Sequence, residues 1–390
     1  MANPRAVLTP KGERWFRTGH PWVFRDDLAR LDKVEDGDIT ALYDHRDHFL
    51  AWAFYSRPSR IAFRIISRLP EEIGETYWMA ALEKAIQKRE GLLQPDQACR
   101  LVFAEADSFP GLIADWYAGH LVLQTLIPGT EKLLGRLEGF FQKILNPFSI
   151  LLRNDPEARG LENLPREVRT IAGQIPERVL VREGEIHYGV DLLRGHKTGA
   201  YLDQRDNRVH LGSLFKPGGR VLDGFCFSGG FSLHLARGAA EVMAVDDSAP
   251  ALDLARQNAE ANSLSNITFH KENLFNFLKK MAEAGKRFDL IILDPPPFAR
   301  KKSEIAGAVR GYLELNRRAL LALKPGGRLS TYSCSHNITE LLFQDILSQA
   351  AQKAGVKTFL LEKRLQARDH PILLNFPESH YLKGLTLQRE

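Results

Sequence analysis

At 390 residues, 44% apolar and 26% charged, the chain has the composition of a globular protein with two or three cores, since about 150 residues make a domain. No apolar run reaches the roughly 18 residues of a membrane span, and Met1-Ala2-Asn3-Pro4-Arg5 leads into the charged Lys11 to Arg17 segment and not into an apolar signal; the expectation is a cytoplasmic protein with no membrane role. Three cysteines, at 99, 226 and 334, exclude a disulfide framework or a four-ligand zinc site, and a formal charge of +5 serves a polyanionic partner only where it clusters.

Residues 1–71 carry short alternating apolar stretches, Ile39 to Leu42, Leu50 to Phe54 and Ile61 to Ile66, between turn clusters, which predicts a small β-rich domain. Residues 72–185 read as an α+β domain: a helix from Tyr77 to Leu93, strands at Arg100 to Ala104, Gly111 to Trp116 and His120 to Leu126, a helix from Thr130 to Ile144, and a strand at Ser149 to Arg153. Asn154 to Gly173 is polar and punctuated by Pro and Gly and reads as loop; Arg178 to Arg182 and Ile186 to Val190 suggest a hairpin leading into the next domain.

Residues 186–390 change to regular alternation. Strands at Val221-Leu222, Val242 to Val245, Ile267 to His270, Phe288 to Leu293 and Arg328 to Tyr332 are separated by helices ending at Arg237, spanning Ala249 to Asn262, starting at Leu274, and spanning Glu304 to Leu323, the last closed by a Lys324-Pro325-Gly326-Gly327 turn. A helix from Thr339 to Ala354 and strands at Lys357 to Glu362 and Tyr381 to Leu387 complete the pattern of a doubly wound, Rossmann-like α/β domain.

In such a sheet the ligand lies outside the carboxyl ends of the strands. The first strand ends in Asp223-Gly224-Phe225-Cys226-Phe227-Ser228-Gly229-Gly230-Phe231, where Gly229 and Gly230 allow close backbone approach. A Gly-x-Gly-x-x-Gly pattern is absent, which disfavours a dinucleotide and hence a nicotinamide dehydrogenase. Asp246, ending the second strand, is placed to accept from ribose hydroxyls, with Asp247 a competitor. Two later strands end in Asp294-Pro295-Pro296-Pro297-Phe298 and Ser333-Cys334-Ser335. Adjacent parallel strands lie about 4.8 Å apart, so an acid and a thiol at neighbouring ends can flank one planar base. The plainer roles for these residues are a strand-end turn for Asp294 and small apolar filling for Cys334.

Taken in order, Asp223 to Phe231, Asp246, Asn273, Asp294 to Phe298 and Ser333 to Ser335 resemble S-adenosylmethionine-dependent class I methyltransferases. Thr198-Gly199-Ala200-Tyr201-Leu202-Asp203-Gln204-Arg205, Asp369-His370-Pro371 and Tyr381-Leu382-Lys383-Gly384 narrow the resemblance to the RlmI-like ribosomal RNA cytosine-5 methyltransferases. That family also carries an N-terminal PUA domain, matched by Gly19 to Phe24, and a central domain, matched by Glu105 to Leu112. The resemblance implies S-adenosyl-L-methionine as cofactor, held by Tyr201, Gln204, Arg205, Asp223, Phe225, Ser228, Gly229, Gly230, Asp246, Asn273 and Asp294. It implies ribosomal RNA, of the large-subunit 23S type, as partner. Asn273 stands where the family places an acid against adenine, with Glu272 an alternative, and Cys226 stands where it often has Ser.

Cytosine C5 is a weak nucleophile, so a thiolate adding to C6 must first make an enamine. Cys334 is the expected nucleophile, and Asp294 the group that grips the N3 and amino edge. Pro295 and Pro296 stiffen the turn, and Phe298 stacks on or walls the base. Arg57, Arg60, Arg64, Arg68, Arg300, Lys301 and Lys302 are the phosphate-contact candidates. His45 and His48 read as a solvated loop pair, and no metal is expected. A homodimer is compatible with the chain. A base-nitrogen RNA methyltransferase, for example one acting on guanine N7, is the nearest alternative, with Cys334 as discriminator; a non-catalytic RNA-binding ribosome assembly protein is the other.

Overall fold

The structure, a computed structural model, describes residues 4–215, 218–299 and 301–390. The chain forms two compact units: Met1–Val181 with Val190–Leu202 and Arg368–Ser379, and Arg182–Gly189 with Asp203–Ala367 and His380–Glu390.

In the first unit, β1 (Arg5–Leu8), α1 (Pro10–Arg17), β2 (Trp22–Phe24), β3 (Leu28–Leu31), β4 (Ile39–Tyr43), β5 (Phe49–Tyr55) and β6 (Ile61–Ser67) build a six-stranded sheet of order β2-β6-β5-β4-β1-β3. Only β4 to β6 are long enough to show an apolar pattern. The shorter β1, β2 and β3 and the eight-residue α1 escape a reading by periodicity, although α1 has a legible start: Thr9 Oγ1 accepts from the Gly12 amide and Pro10 opens the first turn.

The same unit continues with α2 (Glu75–Gln87), β7 (Ala98–Phe103), β8 (Leu112–Tyr117), β9 (His120–Thr125), α3 (Pro128–Leu145), β10 (Ser149–Asn154) and β11 (Glu167–Gly173), whose strands pair in the order β11-β10-β9-β8-β7. Helix α2 stops at Gln87, short of the expected Leu93, because the chain turns tightly through Arg89 and through Gly91 at φ +80°. Arg89 is itself buried, forked onto Asp107 at 2.8 and 2.7 Å and donating to the Asp369 carbonyl at 2.9 Å. With the Arg100 amide on Asp369 Oδ2 at 2.9 Å, this fastens the distant Arg368–Ser379 segment to this unit. The stretch expected to be loop contains β11; as an edge strand with half-exposed side chains it has no need of apolar alternation.

A two-stranded sheet of β12 (Val179–Glu183) and β13 (Ile186–Val190) confirms the expected hairpin. Beyond it lie α4 (Arg205–Leu214), β14 (Arg220–Gly224), α5 (Gly230–Ala236), β15 (Glu241–Asp246), α6 (Ala249–Ala261), β16 (Ile267–Lys271), α7 (Leu274–Glu283), β17 (Phe288–Leu293), α8 (Ile305–Ala322), β18 (Leu323–Ser333), α9 (Glu340–Ala354), β19 (Thr358–Arg364) and β20 (Lys383–Arg389). The sheet runs β16-β15-β14-β17-β18-β20-β19, parallel except for β20, which is antiparallel to both its neighbours. The order reverses beside β14, which puts the switch point between β14 and β17. Central strands such as Leu290 to Leu293 are buried on both faces and so are continuously apolar. The expected Lys324 to Gly327 turn is absorbed into the start of β18, whose pairing with β17 slips there, Phe288 facing Leu323 and Leu290 facing Arg328.

Candidate active site

The carboxyl ends of β14, β15, β17 and β18 bring together Asp223, Asp246, Asp294 and Cys334. Asp223 is buried; its Oδ2 accepts from the Ser232 amide at 2.9 Å and the Ser232 hydroxyl at 2.6 Å, which fixes the first turn of α5 over the strand end. Its Oδ1 is buried and has no hydrogen-bond partner among the described residues. Burial, with the charges of Asp294 and Asp246 adding to it, pushes the Asp223 carboxyl up to about 7 against the two Ser232 bonds. An unspent buried carboxylate oxygen among three acids is a place for a cation or a strong donor.

The loop between β14 and α5 is shaped by backbone. Phe225 and Phe227 hold φ of +62° and +47°, and Gly229 holds +84°. The Phe227 amide donates to Asp246 Oδ2 at 2.9 Å, and the Ser248 amide to Asp246 Oδ1 at 2.9 Å, so Asp246 ties the loop to the end of β15 while keeping lone pairs for a ligand. Ser228 gives its carbonyl to Asn258 at 3.2 Å. A Cβ on Gly230 would stand 2.7 Å from Arg208 Cδ, and Arg208 is forked onto buried Glu183 at 2.6 Å by both Nε and Nη2. Cys226 is buried and its thiol is pushed up by burial and by the Asp223 and Asp246 charges, which fits turn filling and not nucleophilic chemistry.

Cys334 is half-buried, its Sγ 3.9 Å from the Pro295 carbonyl, so the thiol and the Asp-Pro-Pro turn share one place. Parallel pairing of β17 and β18, Leu293 facing Thr331, sets this register. On either side of the thiol, Ser333 and Ser335 turn their hydroxyls to the buried Tyr312 of α8, with O···O distances of 3.0 and 3.2 Å. The Phe298 ring leans on Tyr312, centroids 4.5 Å apart, which makes it a wall held from behind. Lys383, at the start of β20 and facing Ser333 in register, is 4% exposed and donates to the Ser335 carbonyl at 2.8 Å. The family pattern Tyr381-Leu382-Lys383-Gly384 contains Lys383 without assigning it a role; a lone lysine inside the apolar run Tyr381 to Leu387 is the available signal.

The other expected site residues divide. Gln204 is buried, its Oε1 accepting from Asn207 at 2.7 Å while its Nε2 has no partner among the described residues; its neighbour Asp203, also buried, accepts at Oδ2 from Tyr381 at 2.8 Å. Arg205 is buried and pairs with Asp206 at 3.1 Å. Tyr201 belongs to the first unit, its hydroxyl 3.0 Å from His196 Nδ1.

Two expectations need correction. Asn273 Oδ1 accepts from the amides of Phe275 and Asn276 as the N-cap of α7, so its oxygen serves the helix and not an adenine, and Glu272 is paired with Lys280 at 2.6 Å. Arg64 is buried, 2.6 Å from Glu162 and 3.7 Å from Glu105, out of reach of a phosphate. Arg68 is exposed, donates to the carbonyls of Phe16 and His20 and lies over the Phe16 ring. Arg57, Arg60, Lys301 and Lys302 are exposed, and Arg300 lies outside the described residues. His45 and His48 pair with Glu13 and Asp44. Among the described residues no group of three or more His, Cys, Asp or Glu is arranged to hold a metal, and no helix is long and apolar enough to cross a membrane.

Residues 6–68 match the PUA-like domain model and residues 215–373 a methyltransferase domain model. A Tolumonas auensis protein named ribosomal RNA large subunit methyltransferase I is 40% identical over 95% of both chains, and one of that name from Aeromonas hydrophila is 40% identical over 98% of this chain and 99% of its own. This chain belongs to the ribosomal RNA large subunit methyltransferase I family. The fold is seen in a Streptococcus mutans protein assigned to the SAM-dependent methyltransferases, with TM-score 0.83 at 23% identity over 98% of this chain and 99% of that one. It recurs in a methyltransferase complexed with SAH, TM-score 0.85 at 24% identity over the whole of both chains. The architecture is therefore an N-terminal PUA-like domain and a C-terminal Rossmann-like methyltransferase domain, with S-adenosylmethionine as cofactor. The residues present fit that cofactor: its sulfonium and ammonium are cations for a cluster of three carboxylates, and the unspent Asp223 Oδ1 is a ready acceptor.

Proposed function

We propose that this protein methylates C5 of a cytosine in large-subunit ribosomal RNA, with Cys334 as nucleophile. The names of its relatives, which act on large-subunit ribosomal RNA by those names, support the substrate class. The observation that carries the chemistry is the thiol of Cys334 at 3.9 Å from the Pro295 carbonyl, beside the Asp294 turn. A nitrogen acceptor carries its own lone pair and has no use for a thiol there, whereas a ring carbon must first be made electron-rich.

S-adenosylmethionine supplies the methyl group. Cys334 adds through sulfur to C6, and the displaced ring electrons make C5 the attacking atom. Asp294 grips the N3 and amino edge and steadies the adduct. After methyl transfer the C5 proton leaves to water, and the C6–S bond breaks with its electrons returning to sulfur. Asp223 and Asp246, with the backbone of Phe225 and Ser228 to Gly230, hold the donor at the strand ends. Pro295 and Pro296 stiffen the base pocket and Phe298 walls it. Arg57, Arg60, Lys301 and Lys302 supply phosphate contacts, and the target base is turned out of its stack to reach the thiol.

The test is incubation with 5-fluorocytosine-containing ribosomal RNA. Fluorine at C5 blocks the final elimination, so a covalent protein–RNA adduct should accumulate with wild type and vanish in Cys334→Ala, while calorimetry still detects SAH binding to the variant. Methylation at an unchanged rate in Cys334→Ala rejects the covalent reading in favour of a base-nitrogen acceptor.

A further inference from the structure

The Cys334 thiol has a buried amine for a neighbour. Lys383 and Ser333 face each other across the β18–β20 ladder, and the Lys383 amine reaches the carbonyl of Ser335, the residue after Cys334, 2.8 Å away. Gly384, next in the strand, makes room for the ring of Tyr332, where any Cβ would stand 2.4 Å from Cε1. The lysine is 4% exposed and no carboxylate lies in a salt bridge with it among the described residues. A lysine is rarely buried without an anion, since its charge is strongly hydrated. The group that completes this one is a sulfur that becomes an anion only when it reacts.

We propose that Lys383 is the proton partner of Cys334, a positioning residue that turns a thiol and an amine into a thiolate and an ammonium. This rests on the reading of Cys334 as nucleophile. The step is one proton transfer: the S–H bond breaks, its proton joins the Nζ lone pair, and both electrons stay on sulfur. Burial lowers the Lys383 ammonium to about 8, with the Cys334 and Glu340 charges acting the other way, so the amine is able to accept and return a proton near neutrality. Glu340 is itself paired with Lys363 at 2.7 Å. On the other side of the thiol stands Tyr312, whose hydroxyl is pushed up by burial, stays protonated and supplies no competing base. The Ser335 carbonyl fixes the amine next to the residue that follows Cys334. The ordinary thiol value of about 8.5 would leave only a few per cent thiolate at neutrality, and an adjacent ammonium corrects that.

The measurement is the rate of iodoacetamide alkylation at Cys334, followed by peptide mass spectrometry in the full-length protein between pH 6 and 10. Wild type should show an inflection below the ordinary thiol value. In Lys383→Met the inflection should rise by about one unit, slowing alkylation at pH 7 about tenfold. Lys383→Gln serves as a second neutral variant, and SAH calorimetry identifies which variants are folded. A Cys334 profile in the folded neutral variants that overlies wild type overturns the proposal. Failure of the 5-fluorocytosine adduct in wild type with the shifted profile intact would reject cytosine C5 as target and leave the Lys383–Cys334 pair standing; the reverse result would reject the pair alone.

Discussion

Asp223 shows how a single residue can be held against its own stability. Its folded carboxyl value of about 7 lies above the 3.8 of a free aspartate, so the folded state binds the proton more tightly. The stabilisation is complete below about pH 4 and is lost as pH rises to 7; above that, an ionised carboxylate with an unspent oxygen sits in the fold. Asp223→Asn should therefore raise the melting temperature of the cofactor-free protein at pH 8, and the gain should shrink to nothing near pH 4. The same variant should lose the thermal shift that S-adenosylmethionine gives wild type, a shift larger at pH 8 than at pH 6 because a cation prefers the ionised form. A pH-independent gain would mean that Asp223 is not the titrating group. Arg64 is the opposite case, a charge spent on the fold. Replacing it with Met leaves Glu162 and Glu105 buried without their cation, and urea melts should show a loss of about 3–5 kcal/mol.

Among the elements, what the sequence discloses depends on how much of each one's stability is local. Strands β14, β15 and β17, buried on both faces, announce themselves as apolar runs ending in Asp223, Asp246 and Asp294, and so the carboxyl-end site was legible with the fold. The register that puts Cys334 beside Pro295 follows once β17 and β18 pair. Strands held by tertiary pairing and not by apolar content, β1 to β3 and β11, were not legible, nor was the burial of Arg64, since a cation in a strand looks alike whether it meets water or a glutamate across the fold. Helix α7 supplies a third case. Asn273 occupies a cofactor position by order along the chain, yet its oxygen caps the helix. Asn273→Ala should cost about 1 kcal/mol of stability and leave the calorimetric Kd for SAH within twofold of wild type. A tenfold weaker Kd would restore Asn273 to the cofactor site.

At the scale of the whole molecule, charge placement matters more than the net +5. Exposed phosphate candidates fall in both units, among them Arg57 and Arg60 in the first and Lys301 and Lys302 in the second. Each phosphate neutralised releases about 0.7–0.9 of a counterion, so log K falls with log salt in proportion to the contacts made. Changing Arg57 and Arg60 to Gln should flatten the slope by about 1.5, and changing Lys301 and Lys302 to Gln by a similar amount. If one RNA engages both pairs, the quadruple variant should show the sum, read by fluorescence anisotropy of a labelled ribosomal RNA fragment from 50 to 300 mM salt. Arg64→Met should leave the slope unchanged, because its guanidinium is sealed against Glu162. A slope that moves with Arg64 and not with the exposed four would mean that the RNA meets another face of the protein.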